Sequence, residues 1–144
     1  MPQFLDVNVW LPLVWDGHVA SEAARRWVAS VDDDLVLCRV TQLSLLRHLT
    51  NPSIMGDEAL TNAEASLLLQ SLNARAGVIF PQEPAGLPAL FPLLGESDSS
   101  TRNRWTDAYL AAFAIAGNHK LITFDQGFAR YEIHGLQWEL LSVS

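Results

Sequence analysis

The chain has 144 residues, is 49% hydrophobic and carries a formal net charge of -7 at pH 7. That is the size of one domain with ample material for a core, which excludes a disordered chain, and the acidity excludes a protein that grips nucleic acid through a broad basic surface. A single cysteine, Cys38, excludes an internal disulfide, and no apolar run approaches the ~20 residues of a membrane span.

In chain order, Gln3 to Val7 reads as a first strand leading into the apolar stretch Val9 to Trp15. His18 to Val31 has helical spacing, with Ala20, Ala23, Ala24, Trp27 and Val28 on one face. Asp32-Asp33-Asp34 is a solvated turn before a short buried strand, Leu35 to Cys38. A helix from Thr41 to Thr50 follows, with Thr41 as its expected N-cap and Asn51-Pro52 as its stop. Thr61-Asn62-Ala63-Glu64 has the spacing of a capping box and opens a helix to about Ala76. Val78 to Phe80 is a third strand, and Leu87 to Leu94 a short helix before an exposed loop, Gly95 to Ser100. Asn103 to Gly117 is apolar nearly all round after Asp107, as in a buried helix. Lys120 to Phe124 is a fourth strand, Gln126 to Tyr131 a short helix and Leu136 to Leu141 a last strand. Strands alternating with helices predict a mostly parallel α/β sheet covered on both faces, forming a single domain over residues 1–144. The opening Met1-Pro2-Gln3-Phe4-Leu5-Asp6 lacks a basic leader and a cleavage pattern, so a cytoplasmic protein is expected.

Chemistry concentrates in three aspartates. Asp6 and Asp125 each close a strand, and Asp107 opens a helix. In an open parallel sheet, sites form outside the carboxyl ends of the strands. Carboxylates meeting there repel one another unless a cation lies between them, and an all-oxygen set suits a hard ion such as Mg²⁺ or Mn²⁺. Each residue also has a plain structural reading. Asp6 suits a helix N-cap, Asp107 a first helical turn and Asp125 an Asx turn. The four histidines are scattered and match no nucleophile or zinc pattern, while Trp27 and Trp105 suit core or interface positions.

The runs Leu5-Asp6-Val7-Asn8, Thr106-Asp107-Ala108-Tyr109-Leu110 and Leu121-Ile122-Thr123-Phe124-Asp125-Gln126-Gly127-Phe128 together resemble the PIN domain, and more narrowly the VapC-type ribonuclease toxins of bacterial toxin–antitoxin pairs. The resemblance spans essentially the whole chain. It implies a three-layer α/β/α fold with a five-stranded sheet of order 3-2-1-4-5. It also implies Mg²⁺- or Mn²⁺-dependent endoribonuclease activity; if a metal-activated water rather than a ribose 2′-hydroxyl is the nucleophile, the products carry 5′-phosphate and 3′-hydroxyl ends. A VapB-type antitoxin inserting a basic, aromatic segment near the site, and a homodimer, are further implications. Asp6 and Asp107 match the family's metal-binding aspartates, and Asp125 its last acidic position. One departure is that many PIN domains carry a glutamate on the helix after the second strand, where this chain has Ser44. Three carboxylates then stand in place of four.

Asn8, Ser44 and Thr106 are candidates to hydrogen-bond the carboxylates from behind. Arg39, Arg47, Arg102 and Arg104 are candidate phosphate contacts, because a guanidinium pairs with phosphate bidentately; each equally suits a solvated surface. Two competing readings stand beside the nuclease. A phosphohydrolase forming an aspartyl-phosphate needs a second Asp where Asn8 stands. A catalytically inactive PIN-like module would act only through its partner.

Overall fold

The computed structural model describes residues 1–96 and 104–143. Arg102 and part of the expected Gly95–Ser100 loop lie outside them. The strands are β1 (Gln3–Leu5), β2 (Leu35–Val36), β3 (Val78–Ile79), β4 (Lys120–Thr123) and β5 (Trp138–Leu140). All pair in parallel, in the order β3-β2-β1-β4-β5. The helices are α1 (Val7–Val14), α2 (Ser21–Ala29), α3 (Arg39–Leu49), α4 (Pro52–Met55), α5 (Asn62–Ala74), α6 (Leu87–Glu96) and α7 (Trp105–Gly117). Short 3₁₀ segments cover Gly56–Glu58 and Gln126–His134.

Strand side chains alternate between the two faces of the sheet, and this builds two cores. Phe4, Val36 and Leu121 pack with Phe113, Leu110 and Leu94 from α7 and α6. Their sequence neighbours Leu5, Leu37 and Ile122 pack on the other face with Val9, Trp10, Trp27, Leu45 and Leu72, which come from α1, α2, α3 and α5. Fully burying a side chain such as Leu5 or Ile122 contributes about 2–3 kcal/mol. The expected three layers are therefore present.

The expected boundaries shift in places. The expected N-cap Thr41 lies inside α3, which begins at Arg39 with Cys38 as its cap. Only Leu37 and Cys38 separate β2 from α3, so the chain turns helical as soon as it leaves the sheet. The Thr41 hydroxyl instead lies 3.4 Å from Cys38 Sγ, both buried. The Asn51-Pro52 stop is followed by a new helical turn, α4, whose N-cap Asn51 accepts from Ser53 N–H. The capping box is present: Thr61 Oγ accepts from Glu64 N–H, and Glu64 accepts from Thr61 N–H. Trp27 is buried, whereas Trp105 is 52% exposed.

The register fixes where the chain leaves the sheet. Leu5 pairs with Ile122, and Asp6 N–H donates to the Ile122 carbonyl at 3.0 Å. Asp6 therefore emerges beside Thr123 at the carboxyl end of the two central strands.

Candidate active site

Asp6 is 7% exposed and caps α1, with Oδ1 accepting from Val7 N–H at 2.7 Å. Its Oδ2 accepts from the Thr123 hydroxyl at 2.9 Å. Thr123 is fully buried and is the hub of this rim. Its oxygen also accepts from Asn8 Nδ2 at 3.1 Å and from Asp125 N–H at 3.0 Å. Asn8 Oδ1 accepts from Phe124 N–H at 3.2 Å, so its amide ties α1 to the end of β4. Asp125 caps the 3₁₀ segment after β4, its Oδ1 accepting from Gly127 N–H at 2.8 Å. Asp107 lies half-buried in the first turn of α7. The plain structural readings of Asp6 and Asp125 as caps thus coexist with their convergence on one rim.

The electrostatics of this rim are set first by burial and second by like charge. Burial pushes the Asp6 carboxyl up from 3.8 to about 6, and the charges of Asp107 and Asp125 add to the rise. Its hydrogen bonds from Thr123 and Val7 oppose the shift. Asp107 is raised too, first by burial and then by Asp125, with Arg104 opposing. Arg130 Nη1 stands 3.8 Å from Asp107 Oδ2, too long for a hydrogen bond but close enough to feel the charge. Its guanidinium lies over the Tyr131 ring at 5.0 Å. Gly127 allows this crowding. A Cβ there would stand 2.8 Å from Arg130 Nη2 and 3.0 Å from Asp125 Oδ1.

Do these residues fit a cation? Among the described residues, no three acidic, histidine or cysteine side chains stand close enough to grip one ion together. The rim is therefore not a closed cage. Its chemistry nevertheless fits a hard divalent ion. All donors are carboxylate oxygens, and each Asp6 oxygen keeps a lone pair after its one hydrogen bond. The buried Asp6 charge, raised by both neighbours, is stabilised by positive charge placed among them.

The other sequence candidates are placed as follows. Asn8 supports the rim through Thr123, as just described. Ser44 is buried in α3, and its side chain makes no hydrogen bond to the carboxylates among the described residues. Thr106 is exposed in the first turn of α7 and hydrogen-bonds neither carboxylate; the residue at the N-cap is Arg104. Arg104 belongs to the rim. Arg39 is occupied elsewhere, donating to Gln42 Oε1 at 2.8 Å and lying over the Phe80 ring. Arg47 is exposed on α3. Sequence reasoning missed Thr123 and Arg130 as site residues. A hydroxyl in the otherwise apolar run Leu121-Ile122-Thr123, two residues before Asp125, was the available signal for the first.

Comparison with known proteins identifies the family and the fold. The PIN domain family model matches residues 4–133. Ribonuclease VapC41 of Mycobacterium tuberculosis is 38% identical over 143 residues, covering 95% of this chain and 97% of that one. Ribonuclease VapC39 of the same organism is 32% identical, covering 94% and 97%. Among solved structures, Mycobacterium tuberculosis VapC20, described as a Sarcin-Ricin loop cleaving toxin, superposes with a TM-score of 0.70 at 16% identity, covering 93% of this chain and 95% of that one. VapBC2 from Rickettsia felis, solved on a DNA fragment from its promoter, gives 0.67 at 16% identity, covering 99% and 100%.

Proposed function

Because this chain belongs to the PIN-domain family, among the VapC-type ribonucleases of toxin–antitoxin pairs, we propose that it cleaves RNA at the rim formed by Asp6, Asp107 and Asp125. The enzyme class is that of the relatives, metal-dependent endoribonucleases; the assignment of residues, and of Mg²⁺ or Mn²⁺ as the ion, is our own. The observation that carries it is the Asp6 carboxyl, buried and pushed up to about 6 beside two further carboxylates at the ends of the central strands.

Asp6 and Asp107 would hold the ion. Once bound, a divalent ion offsets phosphate charge and makes water a competent nucleophile near neutral pH. Asp125, anchored by Gly127 N–H, would orient the attacking water, which leaves a 5′-phosphate and a 3′-hydroxyl. Thr123 fixes the Asp6 carboxylate so that it need not reorganise during the reaction. Arg104 and Arg130 supply positive charge at the rim toward a phosphate that the net charge of -7 otherwise repels. Asn8 is held by Thr123 and Phe124, so the second-Asp position of an aspartyl-phosphate enzyme holds a structural amide.

A VapB-type partner accords with the VapBC complexes among the structural relatives. The same reading has it insert a basic, aromatic segment toward the acidic rim. Leu93 and Trp105 stand exposed on α6 and α7, an apolar surface that suits a second copy of the chain. No helix among the described residues is long and apolar enough to cross a membrane.

The test is cleavage of mixed RNA by the purified chain with Mn²⁺, with Mg²⁺ and with a chelator, alongside Asp6→Ala. Cleavage that needs metal and Asp6 and yields 5′-phosphate ends supports the reading; metal-independent cleavage, or full activity of Asp6→Ala, overturns it.

A further inference from the structure

A cleft of about 490 Å³ opens directly beside the carboxylate rim. Its lining includes Val7 and Asn8, the two residues after Asp6, together with Trp15, His18, His48 and Ile54. Its volume is in the range of small-ligand sites, roughly 300–1,000 Å³. Asn8 joins it physically to the rim, since the Asn8 amide and Asp6 share the Thr123 hydroxyl.

Hydrogen bonds fix the two imidazoles in opposite tautomers. His48 Nδ1 lies 2.6 Å from the Ser44 carbonyl. A carbonyl only accepts, so Nδ1 carries the proton, and Nε2 of the neutral ring is an acceptor. His18 Nδ1 accepts from Ala20 N–H at 2.9 Å, so its proton sits on Nε2, a donor. Burial holds the His18 pKa below its ordinary value and so favours the neutral ring. The cleft therefore carries a donor at His18 Nε2 and, on the neutral His48 ring, an acceptor at Nε2, in an otherwise largely apolar lining.

Trp15 is pinned as well. Its indole N–H donates to Glu58 Oε2 at 2.6 Å, and its ring stands edge-on to His18 with centroids 5.7 Å apart. Gly17 lets the loop pass over that bond, because a Cβ there would lie 2.8 Å from both Trp15 Nε1 and Glu58 Oε2.

We propose that this cleft receives an unpaired nucleobase of the RNA, next to the phosphate held at the carboxylates, with His18 and His48 reading its hydrogen-bonding edge and Trp15 supplying an aromatic surface. The proposal rests on the ribonuclease reading above and adds to it a source of specificity. A nucleobase offers a flat ring and an edge of alternating donors and acceptors, free only where the strand is unpaired. An apolar side chain from a protein partner satisfies neither imidazole, so the polar pair favours the base.

The deciding experiment is a binding cycle. A fluorescent single-stranded RNA octamer, and versions lacking one base at each position in turn, are titrated with the full chain in calcium chloride. The same series is run with a His18→Leu/His48→Leu double variant. His48→Gln, which keeps hydrogen-bonding capacity, serves as the folded control, with circular dichroism checking every protein. At one position, loss of the base should weaken wild-type binding about tenfold and the double variant's binding less than about twofold, with His48→Gln in between. Equal penalties in all three proteins overturn the proposal. So does a double variant that treats every octamer as the wild type does but no longer binds a basic, aromatic peptide, which assigns the cleft to a protein partner. Absent cleavage in Mn²⁺ with the binding cycle intact fells the nuclease reading and leaves the base site standing.

Discussion

Two acidic triplets stand at opposite ends of one sheet. Asp32, Asp33 and Asp34 are consecutive, lie at the amino end and are all exposed. Asp33 accepts from Gln3 Nε2 at 3.0 Å and lies 4.0 Å from the Met1 amino group. Asp6, Asp107 and Asp125 are spread along the chain and come within electrostatic reach of one another at the carboxyl end, where burial first and mutual repulsion second raise Asp6 and Asp107. Neighbours on one turn relieve their repulsion by turning into water. Carboxylates delivered by three separate elements have no such escape without dismantling those elements, so the metal-free fold retains the cost.

The sharpest way to break this contrast is substitution at both ends. Asp107→Asn should lower RNA cleavage by about a hundredfold or more while leaving the metal-free protein as stable or more so, by thermal melting in chelator. A large fall in melting temperature would mark Asp107 as a structural residue of the first turn of α7 instead. Added Mn²⁺ should raise the wild-type melting temperature more than that of the variant.

Acidity tests the same stored energy. Unfolded, Asp6 titrates near 3.8; folded, it titrates at about 6. Between those values the folded chain binds the additional proton. Asp6 therefore contributes its stability in full below about 4 and loses it as pH rises through 6, a change of about 3 kcal/mol. Asp107 shifts in the same direction. Urea melts of metal-free wild type, referred to Asp6→Asn at each pH, should show this decline; a flat difference would sink it.

Thr123→Val probes the support beneath the charge. It strips the hydrogen bond that holds Asp6 down and leaves Asn8 Nδ2 and Asp125 N–H without their acceptor. The expected loss is about 1–3 kcal/mol, with Asp6 moving further up. At the amino end, Asp33→Asn should change stability by less than about 0.5 kcal/mol and leave cleavage untouched, measured in the same assays.

The fold was largely legible because each strand is a short apolar run whose alternate side chains feed two cores. The sheet order came from the PIN resemblance, since alternation alone does not order strands. Of the site, the aspartates were legible as strand-end and helix-start acids, and Asn8 as their neighbour. Ser44 and Thr106 were not decided by register, because α3 begins two residues before the expected Thr41 and α7 is capped at Arg104. Thr123 and Arg130 escaped because their importance lies in partners far along the chain. The hydroxyl that closes the apolar run Leu121-Ile122-Thr123 signals a polar group at that strand end, but not which distant partners it joins.

The hydroxyl of Thr123 reaches Asp6 across 117 positions of sequence. A polypeptide still lacking its last two strands therefore carries Asp6 without the hydroxyl that pins it, however well its first half has folded.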